Sequence, residues 1–302
     1  MISEDVKAFA ADFEERLPGL LPPVDDQAVI LDESMRYSLL AGGKRLRPML
    51  MAAAFEAYSG RDWHEDRLAP FYMAALEMIH TYSLVHDDLP AMDDDDMRRG
   101  QRTNHIVFGE DMAILAGDAL LNGAFELMSS ALRTAAGNGH TQEAVRGVFA
   151  MDKIALYAGG QGMIAGQVID VTQRATKLSR IIRMYEDKTG ALLAAAIVGG
   201  AVLGGAPEED CDILQKAALN TGLAFQIQDD ILDIAGDEVL TGKPVGSDDK
   251  SDKLTYVSMV GLEQAETDAA RYTAEAIKGL ESLSKDLTIV QAIIRGLIGR
   301  QA

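Results

Sequence analysis

Six aspartates are spaced so that they could hold hard divalent cations. Asp87, Asp88 and Asp93 lie in HDDLPAMDDDD, and Asp229, Asp230 and Asp233 lie in FQIQDDILDIAGD. Each group follows an apolar stretch with helical spacing and sits near the expected end of its helix. Pro90 interrupts the first stretch and Gly236 follows the second. A helix C-terminus carries partial negative charge, so carboxylates are disfavoured there. Crowding them adds repulsion. Oxygen-bound divalent cations would resolve both conflicts, and magnesium that keeps some of its waters would also hold a substrate phosphate. The competing accounts are a solvated acidic loop for the first group and a surface stripe for the second. The loop account suits Asp94, Asp95 and Asp96, which merely extend the run. An EF-hand is excluded, because DDDDMRRG lacks the oxygen spacing and the terminal bidentate Glu. Asp229, Asp230 and Asp233 can converge on one helix face, with Gln226 one turn earlier. His80 lies seven residues before Asp87, on nearly the same face two turns away.

Basic residues cluster where an anion could be bound. Lys44, Arg45 and Arg47 precede Pro48 in AGGKRLRPML. Proline favours the first turn of a helix, and a helix N-terminus attracts anions. Arg98 and Arg99 follow the acidic run, and Lys188 with Thr189, Lys243 and Lys253 supply further donors. In a chain with 47 acidic and 28 basic residues and a net charge of −19, such spots are phosphate-contact candidates. Surface salt bridges are the bland alternative.

The elements that must position these groups read as helices. The spacing predicts helices over 3–17, 26–41, 47–59, 66–89, 110–135, 141–171, 177–203, 208–235, 253–281 and 285–299. Strand-like alternation is almost absent. Two long loops, 90–109 and 236–252, each follow an aspartate group, and long loops in helical domains tend to be functional. No repeat or linker divides the chain, so one all-α domain over 1–302 is expected. The acidic balance argues against nucleic-acid binding and against docking on anionic lipid. The single cysteine, Cys211, fits a reducing, cytoplasmic setting. Residues Thr189 to Pro207 carry no charge over roughly a bilayer's length. They are mostly Ala and Gly, which favours a buried helix over a membrane span.

Together these residues resemble the trans-isoprenyl diphosphate synthases. GGKRLRP, HDDLPAMDDDDMRRG, GQVID, KTGAL and FQIQDDILD occur in that family's order and spacing, over roughly Ser34 to Tyr256. The spacing of DDLPAMD is similar to the bacterial farnesyl diphosphate synthase type. The resemblance implies antiparallel helices around a deep central cavity, and a homodimer. It implies three magnesium ions held by Asp87, Asp88, Asp93, Asp229, Asp230 and Asp233. These would hold an allylic diphosphate with Arg98, Lys188 and Lys243. Isopentenyl diphosphate would meet Lys44, Arg47, His80 and Arg99. Thr189, Gln226 and Asp170 would line the reacting region, and Lys253 would belong to a second basic loop. That loop departs from the family's pattern, reading Asp252-Lys253-Leu254-Thr255-Tyr256-Val257.

The implied chemistry is ionisation of the allylic diphosphate, attack by the double bond of isopentenyl diphosphate, and loss of a proton. Tyr82, five residues before Asp87, would floor the chain-length cavity, with Ser83 beside it. The alternatives are a geranylgeranyl or other short-chain synthase, a terpene cyclase, and a non-catalytic subunit of a heteromeric synthase. The lysine-arginine motif argues against a cyclase, and the complete set of aspartates argues against a non-catalytic subunit.

Overall fold

The computed structural model describes residues 4–172, 174–235 and 254–298. The fold is all-α, as the periodicity predicts. Among the described residues the strands are two short ones, β1 (Met97–Arg98) and β2 (Gln101–Arg102), paired antiparallel. The chain divides into two compact units. One comprises the described residues to Asp152 together with Val202–Gly205; the other comprises Lys153–Ala201 and the described residues from Ala206 onward.

The first unit holds α1 (Glu4–Leu20), α2 (Val29–Leu39), α3 (Leu46–Ser59), α4 (Ala69–Asp87), α5 (Asn104–Phe108), α6 (Glu110–Gly137) and most of α7 (Thr141–Ala158). Helix α4 is apolar on nearly every side, and such a helix is stable only when buried. Its Leu76, Met78 and Ile79 are fully covered. Helix α6 lies along α4 and offers small residues to it. A Cβ at Gly117 would stand 2.1 Å from the His86 ring, so only glycine leaves room for that imidazole. His86 Nε2 is 3.1 Å from the Ile114 carbonyl. This is the packing role that its position on the helix suggests.

The second unit contains α8 (Met163–Val171), α9 (Leu178–Tyr185), α10 (Ala191–Gly204, whose last residues fall in the first unit), α11 (Glu208–Ala235), α12 (Tyr256–Val260), α13 (Leu262–Glu281) and α14 (Thr288–Ile298). Helices α9 and α10 are joined without a break by a π-turn, Glu186–Gly190, in which the Ala191 N–H reaches back to the Glu186 carbonyl. The combined helix is long and apolar enough to cross a membrane by length and composition, but 83% of its apolar window is buried inside the protein. It is a core helix.

Three sequence expectations need correction. The helix expected over 141–171 is two helices, α7 and α8. Its break falls at Gly162, the N-cap of α8. A Cβ there would meet the Tyr157 carbonyl oxygen at 2.0 Å. The helix expected over 253–281 is interrupted at Gly261, where φ is +83°. The stretch 90–109, read as a loop, contains the β1–β2 hairpin and α5. Polar pairing overrides a weak periodic signal there: Asn104 bonds Ser34 and Ser38 of α2.

The π-turn is gripped by glycines. A Cβ at Gly166 of α8 would lie 2.2 Å from the Lys188 nitrogen, and one at Gly222 of α11 would lie 2.3 Å from the Gly190 Cα. Overpacking of this kind costs roughly 1–3 kcal/mol. Gly222→Ala is therefore expected to lower the thermal midpoint by several degrees. Gly19→Ala, with no atom within 4 Å of the added carbon, should not. Calorimetry of both variants is the check. A Gly222→Ala midpoint indistinguishable from wild type would contradict the close contact.

Candidate active site

Helix α4 delivers Asp87 at its last turn and Asp88 as its C-cap. The chain then folds back on itself. The Asp93 N–H donates to the Asp87 carbonyl at 2.9 Å, and the Met92 and Asp94 N–H groups both reach the Leu89 carbonyl. Leu89 and Met92 pack on Val85 and Ala113, which anchors the turn. Asp87 and Asp93 are thus backbone neighbours despite the residues between them. The three side chains are not equivalent. Asp93 is exposed and Asp87 half-buried. Asp88 is buried, and the Nε of Arg98 donates to it at 2.6 Å. Burial raises the Asp88 carboxyl pKa above its ordinary value, against the lowering effect of Arg98. The same ion pair raises the pKa of Arg98. A small cavity of about 30 Å³, enough for a water, lies beside this pair. Thr81, whose Oγ1 is buried without a protein partner, is in its lining.

The basic residues gather at the start of α3. Arg45 is the N-cap in a left-handed conformation, φ +47°, and Pro48 falls in the first turn as expected. Lys44 is exposed. Arg47 Nη1 lies 3.2 Å from His80 Nε2 on α4. Burial and the surrounding arginines, Arg47 first, hold the His80 imidazole well below its usual range. It is neutral, so Nε2 accepts from Arg47 and the ring proton sits on Nδ1. Arg47 is pushed down to about 10, chiefly by burial, and stays a cation at neutral pH. Its Nε is buried with no protein acceptor, which suits a donor meant for a ligand. Arg99, at φ +52°, donates from Nη1 to the Gly42 carbonyl at 2.5 Å. A Cβ at Gly43 would come within 3.2 Å of that guanidinium, so the paired glycines give Arg99 its access. Arg47, His80 and Arg99 therefore share one neighbourhood with Lys44 at its edge.

In the second unit, the π-turn presents Lys188 and Thr189. Turns of this kind recur at functional sites because they turn a side chain out of helical register. Lys188 Nζ is 2.6 Å from Asp170 on α8. Thr189 Oγ1 donates to Gln226 Oε1 of α11 at 2.8 Å. The four polar groups picked from separate motifs are neighbours. Asp229 and Asp233 are half-buried further along α11. Asp230 is buried, and its Oδ2 accepts from the Tyr185 hydroxyl and the Tyr256 N–H, both at 2.8 Å. Lys243 and Lys253 lie outside the described residues.

Tyr82 is buried on α4, edge-on to the His86 ring at 5.8 Å. Burial pushes its hydroxyl up to about 12. The Ser83 hydroxyl donates to the His80 carbonyl at 2.8 Å. Sequence reasoning passed over Glu77, Tyr185 and Tyr256. Glu77 was detectable as the lone acid inside an apolar helix, one turn before His80. The tyrosines carry no such signal.

Among the described residues, no three acidic, imidazole or thiol side chains form a preformed metal cage. Their chemistry nevertheless fits magnesium. The donors are clustered carboxylate oxygens, Asp87 and Asp88 at the end of α4 and Asp229, Asp230 and Asp233 along α11, and magnesium is usually held by one or two carboxylates plus substrate phosphate.

Comparison with known proteins gives the family. A family model described as polyprenyl synthetase matches residues 28–294. The farnesyl diphosphate synthase of Bacillus subtilis (strain 168) is 45% identical over 297 residues, covering 95% of this chain and 96% of its own length. The heterodimeric geranylgeranyl pyrophosphate synthase large subunit 1 of Arabidopsis thaliana is 44% identical over 261 residues, covering 85% of this chain and 68% of its own. A solved FPP/GFPP synthase from Zymomonas mobilis has a TM-score of 0.81 at 33% identity and covers 97% of both chains. A geranyltransferase from Helicobacter pylori, solved with magnesium and isoprenyl diphosphate, has a TM-score of 0.80 at 31% identity, covering 99% of this chain and 98% of its own. The chain belongs to the polyprenyl synthetase family and is a prenyltransferase that joins prenyl diphosphates head to tail.

Proposed function

We propose that this prenyltransferase makes farnesyl diphosphate, condensing isopentenyl diphosphate first with dimethylallyl and then with geranyl diphosphate. The observation that carries the product assignment is Tyr82. It is a bulky, buried ring on α4, about 7.5 Å below Asp87 at ~1.5 Å per residue. A prenyl tail whose diphosphate is held near Asp87 meets this ring as it grows. The Bacillus subtilis farnesyl diphosphate synthase supports the same reading. The Arabidopsis relative, at nearly equal identity, favours a second one, geranylgeranyl diphosphate.

Three magnesium ions, when bound, would neutralise the allylic diphosphate and make it a better leaving group. Asp87 and Asp93, and Asp229 and Asp233, are the carboxylates for them. Asp88 and Asp230 belong to the same sets, but each is tied to protein and orients its neighbours. Arg98 and Lys188 stabilise the negative charge gathering on the departing pyrophosphate, and Lys243 and Lys253 are assigned to the same diphosphate grip. As the allylic C–O bond breaks, the pyrophosphate keeps the electron pair and a carbocation remains. Lys44, Arg47, His80 and Arg99 hold isopentenyl diphosphate so that its double bond attacks that cation. The new C–C bond forms, and the adjacent carbon loses a proton to the pyrophosphate. Thr189, Gln226 and Asp170 line the reacting region. Apolar walls of the kind the family resemblance implies would exclude water, which would otherwise trap the cation.

The enzyme is read as a cytoplasmic homodimer. Val145, Val148 and Phe149 share an exposed apolar face of α7, and contiguous exposed apolar faces mark interaction sites.

Asp87→Ala and Asp229→Ala should each lower kcat/KM by about 100-fold or more, with helical circular dichroism unchanged. Activity within a few-fold of wild type at saturating magnesium would remove these carboxylates from the mechanism. Tyr82→Ala should lengthen the product beyond farnesyl diphosphate, and a larger residue at Ser83 should shorten it to geranyl diphosphate. Chromatography of the dephosphorylated products decides. A wild-type product that is already geranylgeranyl diphosphate would establish the second reading. Phe149→Glu should shift sedimentation from dimer to monomer, and a monomeric wild-type protein would end the dimer assignment.

A further inference from the structure

We propose that Arg45 and Glu77 are positioning residues for the isopentenyl diphosphate site. Their buried ion pair fixes the start of α3 on α4, so that Lys44 and Arg47 present their charges to one diphosphate while Arg45 touches no substrate. The inference rests on reading Lys44, Arg47, His80 and Arg99 as that site.

Arg45 sits inside the lysine-arginine motif, yet its side chain is fully covered. Its Nη1 donates to Glu77 at 2.6 Å, its Nε to Glu14 of α1 at 3.1 Å, and its Nη2 to the Leu39 carbonyl at 2.8 Å. Every guanidinium nitrogen has a protein partner. A group so enclosed does not reach a ligand. It does impose a backbone shape. The left-handed conformation at Arg45 is one that L side chains seldom adopt. It turns the chain between Gly43 and Leu46, leaving Lys44 exposed and Arg47 directed at α4. Three bonds on the side chain hold that turn in place.

Two ties run in parallel from this turn to α4. Arg45 meets Glu77, and Arg47 meets His80. The arginines are two residues apart, and their partners are one helical turn apart on α4. The first tie is buried and charge-assisted, and such bonds are the strong ones. The second is a longer contact with a neutral imidazole. Register is therefore set by the first tie and inherited by the second.

Glu77 also acts beyond its contact. Its carboxylate favours the cationic forms of Arg47 and Arg99, which burial and neighbouring cations oppose. Arg45, Arg47, Arg98 and Arg99 all bear on His80. Glu77, only 2% exposed, is a counter-charge buried against Arg45, as Asp88 is against Arg98.

A pair that served stability alone would behave differently. Removing one partner leaves an uncompensated buried charge, which is strongly destabilising whatever the function. Removing both, and filling the space with apolar groups, is commonly tolerated. The test is therefore the double variant Arg45→Met/Glu77→Met beside Arg47→Ala, each assayed for prenyl transfer with either substrate varied. The double variant is expected to melt near wild type. Its KM for isopentenyl diphosphate should rise roughly tenfold or more, while its KM for the allylic diphosphate stays within about twofold. Equal rises in both KM values, or a wild-type KM for isopentenyl diphosphate, would overturn the inference. An unfolded double variant would overturn it as well, because the pair would then be structural. Arg47→Ala separates the two layers. If it raises the KM for isopentenyl diphosphate and the double variant does not, only the positioning role fails. If Arg47→Ala leaves that KM unchanged, the site assignment fails and the inference with it.

Discussion

A carboxylate at the C-terminal end of a helix is repelled by the helix that carries it; α4 ends in a doublet of carboxylates, and α11 carries a second doublet along its length. The crowding of carboxylates is met in the same way in both. In each doublet the second aspartate is buried and bonded to protein: Asp88 to Arg98, and Asp230 to Tyr185 and the Tyr256 N–H. The first and last aspartates of each group remain more exposed. One carboxylate per doublet is thus held by bonds to protein. Its partners come from other elements, the β1–β2 hairpin for Asp88, and α9 with the start of α12 for Asp230. The repulsion that makes the motif costly locally is also what recruits those elements to it.

The second unit shows how the basic side is positioned. Lys188 and Thr189 project from a π-turn, a local change of helical register. The turn would be unfavourable without close neighbours on either side. Gly166 and Gly222 supply them, since either Cβ would overlap the turn's backbone. Thr189 and Gln226 are brought within hydrogen-bonding distance by that contact. The glycines carry no chemistry, but they set where it occurs.

The helices were legible in the sequence because a 3.6-residue period survives over long apolar stretches. The break at Gly261 was not, because an isolated glycine does not reveal which sign of φ its neighbours will demand; the break at Gly162 was signalled by the run Gly159-Gly160-Gln161-Gly162, which the long apolar period on either side overrode. The hairpin at Met97–Arg102 was hidden because two-residue strands have no period to detect. Among the candidate site residues, types and spacing singled out Asp87, Arg98, Lys188 and Asp229. They could not separate Asp88 from Asp87, or Asp230 from Asp229. Those distinctions depend on long-range partners: Tyr185 is 45 residues away and Tyr256 is 26 away. Arg45 was visible only as one more cation. Its enclosure depends on Glu14, Leu39 and Glu77, which no local pattern connects to it.

A chain with a net charge of −19 must still bind anions. Exposed charges farther apart than about 8 Å are largely screened at physiological ionic strength. The long-range field therefore decides little for a small diphosphate, and the few cations it touches decide most. Three of the candidates are arginines, Arg47, Arg98 and Arg99, whose planar forks match phosphate oxygens and whose charge survives burial. Arg47 illustrates the margin: burial pushes it down, yet it remains a cation, with Glu77 opposing the shift. An extended polyanion meets the opposite balance, because it samples the whole acidic surface rather than one enclosed patch. An acidic composition with enclosed arginines therefore suits a small diphosphate better than an extended polyanion.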